Sequence, residues 1–109
     1  MGVKMEINVE KTLEDMCLNE VKKFLVEIVE GEINEDIKDG EKEEWIIEEI
    51  DILIDILNSK TIEEAVEYFT KLAWDLDSFL YAVREFKGPK LCRNILIGVS
   101  VEHENWWST

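Results

Sequence analysis

Apolar positions along this chain recur with two different periods. Residues 3–9, VKMEINV, alternate, with Val3, Met5, Ile7 and Val9 on one side and Lys4, Glu6 and Asn8 on the other, which is the period of a strand. From Thr12 the period lengthens. Thr12, with Asp15 three residues on, predicts an N-cap for a helix running to about Glu30. Its core stripe is Leu13, Cys17, Val21, Phe24 and Ile28, widened by Leu18, Leu25 and Val29. Gly31 is expected to end it, so that INEDIKDG, residues 33–40, becomes an acidic connection closed by Gly40.

A second helix is predicted over about 41–57, and Asn58 and Ser59 break its pattern. Thr61 and Glu64 then have capping-box spacing. They open a third helix expected to run to about Phe86, with Ile62, Ala65, Phe69, Leu72, Leu76, Leu80 and Val83 on one face and Lys87-Gly88-Pro89 as its stop. In the last segment Ile95, Ile97, Val99 and Val101 alternate with Leu96, Gly98, Ser100 and Glu102. Together with the β-branched enrichment this favours a strand that pairs with VKMEINV, and Pro89 opening a fourth helix is the alternative. The expected fold class is mainly α: three long helices in one domain over 1–109, with terminal segments forming a small two-stranded β element or a fourth helix.

Composition agrees with one folded domain, at 46% hydrophobic and 35% charged residues with a single proline. Charge changes the picture more. The formal net charge of -14 repels phosphates, which disfavours direct nucleic-acid binding and favours basic proteins. No apolar run approaches the ~20 residues of a membrane span and the N-terminus has no signal-like stretch, so a cytoplasmic location is expected. Cys17 and Cys92 are expected as reduced core residues.

The second helix holds the most informative pattern. At about 100° per residue, Ile46, Ile50, Leu53 and Leu57 share one arc, Ile47 and Ile54 extend it one way, and Trp45, Ile52 and Ile56 the other. So wide an apolar arc predicts cover on two sides, by the first and third helices and the terminal segments. The remaining strip carries Glu41, Glu44, Glu48, Asp51 and Asp55 at spacings of 3, 4, 3 and 4. Residues 27–55 hold 13 acidic side chains against Lys38 and Lys42, a net of -11. An ordinary solvated face mixes signs and gains pair stabilisation, whereas like charges at these spacings each cost about 0.2 to 0.5 kcal/mol.

Two kinds of chemistry fit that strip. As a row of carboxylates ~5 Å apart along the axis, it imitates the charge spacing of a nucleic-acid backbone and fits the basic groove of an enzyme that acts on nucleic acid. Alternatively, Glu27 and Glu30 on the first helix, with Glu48 and Asp51 on the second, spell ExxE and ExxD, and EEIDILIDIL accompanies the second pair. This pattern resembles the metal-binding motifs of the MazG-like all-α nucleoside triphosphate pyrophosphohydrolases. The resemblance implies Mg²⁺ held by those four carboxylates and bridging substrate phosphates.

Trp74 and Tyr81, seven residues apart and off the third helix's core stripe, are candidate aromatic anchors for a partner. Arg84, Lys87, Lys90 and Arg93 form the one basic neighbourhood, placed where a helix dipole favours cations. His103 is the sole histidine, and no nucleophile-base pair is visible. The expected function is therefore non-enzymatic, without a cofactor. The partner surface comprises Glu41, Glu44, Glu48, Asp51, Asp55, Trp74 and Tyr81, and it faces a basic protein such as a nucleic-acid-acting enzyme or a toxin. Anti-restriction, anti-CRISPR or toxin-immunity inhibition is the setting, and a homo-oligomer is compatible with it. The Mg²⁺-dependent pyrophosphohydrolase is the alternative.

Overall fold

The computed structural model describes residues 9–72 and 76–107. They form α1 (Val9–Asp39), α2 (Glu43–Asn58), α3 (Ile62–Thr70), α4 (Leu76–Glu85) and α5 (Lys90–Trp107). α1 is the spine, packing against α2, α3 and α5, while α4 packs on α5. The core gathers Val21, Leu25 and Val29 from α1, Ile56 from α2, Val66 and Phe69 from α3, Phe79 and Val83 from α4, and Leu96 from α5.

α1 does not stop at Gly31. A mid-helix glycine costs about 1 kcal/mol relative to alanine, and burial of Ile33 one half-turn later, in register with Val29, offsets it. The expected acidic connection is thus the last two turns of the helix. α1 ends in a Schellman turn: the Gly40 amide donates to the Ile37 carbonyl and the Glu41 amide to the Asp36 carbonyl, at 3.2 and 3.0 Å. Gly40 has φ +72°, the left-handed conformation that favours glycine there.

The third expected helix is two. A straight helix would separate Phe69 and Phe79 by about 15 Å along its axis, yet their ring centroids lie 6.0 Å apart. The chain breaks after Thr70 so that both rings enter one core, and Phe79 becomes its largest fully buried side chain. Upstream, the Thr61 cap forms as its spacing predicts. The Glu64 amide donates to Thr61 Oγ1 at 3.1 Å, and the Glu64 carboxylate accepts from the Lys60 amide at 3.1 Å.

The segment favoured as a strand is the helix α5. Its buried positions, Cys92, Leu96 and Ser100, recur every fourth residue, with Ile95 and Val99 packed beside them. That period lies beneath the β-branched alternation. The strand expected over 3–9 falls outside the described residues except for Val9, which begins α1.

Cys17 and Cys92 are not reduced but joined in a disulfide. Both lie on the buried faces of their helices, where α5 packs against α1. At the α4–α5 corner the Phe86 ring packs edge-on against Phe24, with centroids 5.1 Å apart. It lies so close to Gly88 that any Cβ there would run into it.

Candidate functional site

α2 has three faces. Ile46, Ile52, Leu53 and Ile56 turn inward onto α1 and α3. Ser59 stops the helix: its hydroxyl donates to the Asp55 carbonyl at 2.8 Å and its amide to the Ile56 carbonyl. The end is also held from outside, because Lys22 Nζ on α1 donates to the Leu57 carbonyl at 2.9 Å. A cation there complements the negative end of the helix dipole.

The second face is apolar and uncovered. Ile47, Ile50, Ile54 and Leu57 are 50, 40, 46 and 50% exposed, against the expectation that α2 would be covered on two sides. The reason is topological. α1 and α3 both approach α2 over the arc of Ile46, Leu53 and Ile56, and α5, which takes the place of the expected terminal strand, packs on α1, α3 and α4. Where Leu57 meets α1, a cleft of about 500 Å³ opens, walled by Val26, Leu57, Glu27 and Glu30 with Lys22 and Lys23 at its rim.

The third face is the acidic row. Glu44, Glu48, Asp51 and Asp55 are all exposed along it, next to the apolar stripe on the side away from the core. Glu41, expected as its first member, precedes the helix in the turn after Gly40. Lys42 lies over the Trp45 ring, 5.6 Å from its centroid.

One acidic residue departs from the rest. Glu49 shares the inward arc with Ile46 and Leu53, and its Oε2 is buried with no hydrogen-bond partner. Burial pushes its pKa up to about 7, helped by a hydrogen bond to Asp36 available to the protonated form and by the charges of Asp36, Glu32 and Glu41. Glu32 on α1 is also raised, first by burial and then by the charges of Glu35 and Asp36. The sequence signal for Glu49 was its place three residues after Ile46 and four before Leu53.

Of the remaining sequence-predicted residues, those that the structure describes do not join α2. Tyr81 is 65% exposed on α4, which packs against α5 rather than α2. Trp74 and the side chain of His103 lie outside the described residues. Arg84, Lys87, Lys90 and Arg93 are exposed around the α4–α5 corner.

The four carboxylates of the pyrophosphohydrolase resemblance do not fit a magnesium site. Glu27 and Glu30 line the α1–α2 cleft, whereas Glu48 and Asp51 stand on the outward face of α2. Among the described residues no three acidic, cysteine or histidine side chains converge to hold a metal ion. Hard divalent cations need several oxygen ligands at one point. The chain matches no protein-family model, and no curated protein or solved structure is significantly similar to it.

Proposed function

We propose that this protein is a non-enzymatic inhibitor whose acidic α2 face occupies the basic groove of a nucleic-acid-acting enzyme or toxin, excluding its substrate. The observation that carries the reading is the exposure of Glu44, Glu48, Asp51 and Asp55 along one face, with no lysine or arginine between residues 42 and 60 to compensate them. The row presents a charge about every 5 Å of helix axis, which suits a groove built for a phosphate chain. Concentrating charge in this way speeds encounter with a basic partner and repels nucleic acid itself. An anti-restriction, anti-CRISPR or toxin-immunity role fits such a surface.

The test is displacement of labelled DNA or RNA from a panel of restriction endonucleases, RNA-guided nucleases and nuclease toxins. The expected result is displacement from at least one enzyme, strongest at low salt and indifferent to magnesium. Substituting Glu44→Gln, Glu48→Gln and Asp55→Asn together should weaken it about tenfold, since three exposed pairs at about 0.5 kcal/mol each sum to about 1.4 kcal/mol. Displacement that ignores both salt and these substitutions would sink the proposal.

A further inference from the structure

Resting on the basic-partner reading and going beyond it, we infer that the partner contacts α2 through an amphipathic basic helix. Its apolar side chains, at i, i+3, i+7 and i+10, seat on Ile47, Ile50, Ile54 and Leu57, and its lysines or arginines along one flank pair with Glu44, Glu48, Asp51 and Asp55. The four exposed apolar residues follow a 3-4-3 spacing, the seam that a second helix packs into. They span about 15 Å of helix, three turns of a partner. A purely polar groove would engage the carboxylates and leave these side chains in water. The α1–α2 cleft beside Leu57 continues the seam and gives the last apolar anchor a recess between Val26 and Leu57, with Glu27 and Glu30 on its wall.

Charge selects this occupant over the others. The acidic row flanks the seam on one side only, so in an antiparallel pair of copies each row would face its own image. In any arrangement two chains of -14 repel. An anionic membrane would meet the same row and be repelled as well. A helix with an apolar seam and a cationic flank satisfies both faces at once.

The experiment is calorimetric titration of the full chain with two synthetic peptides of identical leucine and lysine content. One carries leucine at i, i+3, i+7 and i+10, and the other has the same residues scrambled. The patterned peptide is expected to bind at least about tenfold more tightly. Ile50→Ser with Ile54→Ser should erase that preference and leave a weaker, salt-sensitive affinity common to both peptides, with circular dichroism unchanged. Equal affinity of the wild type for both peptides overturns the helix-docking inference while leaving the charge reading intact. Failure to bind either peptide at low salt overturns both. Concentration-dependent dimerisation in sedimentation, abolished by the same two substitutions, overturns the inference in favour of a second copy.

Discussion

Glu49 sits where a hydrophobic residue would serve the α1–α2 contact better. Its folded-state pKa of about 7 lies above its ordinary 4.5, so between these values the folded chain binds a proton that the unfolded chain does not. Stability from this group therefore rises as pH falls from about 7 towards 4.5, and is lost as pH rises through 7. Glu49→Gln removes the charge and keeps the shape. In urea unfolding above pH 7 the variant should be more stable than the wild type by on the order of 1 kcal/mol, a value discounted for partial solvation of the side chain. That advantage should vanish as the pH approaches 4.5. A difference independent of pH would assign the effect to packing instead. Asp36 and Glu32 face Glu49 from α1 and Glu41 faces it from the turn, so the same substitution relieves three further carboxylates.

At the scale of elements, the helix ends at Thr61 and Ser59 were legible, whereas the cap expected at Thr12 falls inside α1, which begins at Val9. Thr61 and Ser59 act through their own hydrogen bonds to the backbone, and such local signals survive in a linear string. Gly31 and the break after Thr70 are decided by partners far along the chain, Ile33 against the core and Phe79 against Phe69. The sequence of α5 favours a strand over the alternative of a helix opened by Pro89, because Ile95, Ile97, Val99 and Val101 satisfy a strand's alternation while Cys92, Leu96 and Ser100 satisfy a helix's period, and only packing chooses between them. The acidic row is legible because Glu44, Glu48, Asp51 and Asp55 lie on one helix, whereas Glu41, counted with them, falls in the turn before it. The bare apolar stripe beside it was not, since periodicity marks a side chain as apolar without saying whether anything covers it. Gly31 also yields a direct test of the uninterrupted α1. Nothing lies within 4 Å of where its Cβ would be, so Gly31→Ala should stabilise the protein by about 0.5 to 1 kcal/mol and raise Tm by about 4 °C in a thermal melt. A helix that ended at Gly31 would instead be destabilised by alanine.

For the whole molecule, the bond between Cys17 and Cys92 spans 75 residues. Closing a loop of that length restricts the unfolded chain by about 4 kcal/mol on the chain-entropy account. Denaturant unfolding with and without a strong reductant should differ by about that amount, and Cys92→Ser should remove the difference. The bridge also bears on where the protein works. Disulfides are commonest in oxidising compartments and occur also in the intracellular proteins of hyperthermophiles. Among the described residues no helix is long and apolar enough to cross a membrane.

The same bond makes a covalent ring of α2, α3 and α4 together with most of α1. The exposed turn at Gly40, Glu41 and Lys42 lies inside that ring. A protease that nicks the turn therefore separates nothing: both fragments stay tethered through the sulfurs, and α2 keeps its seat on α1 through Ile56 and the Lys22 grip on Leu57. Severed on one side of its binding face, the protein would remain one particle, releasing its halves only when a reductant opens the ring.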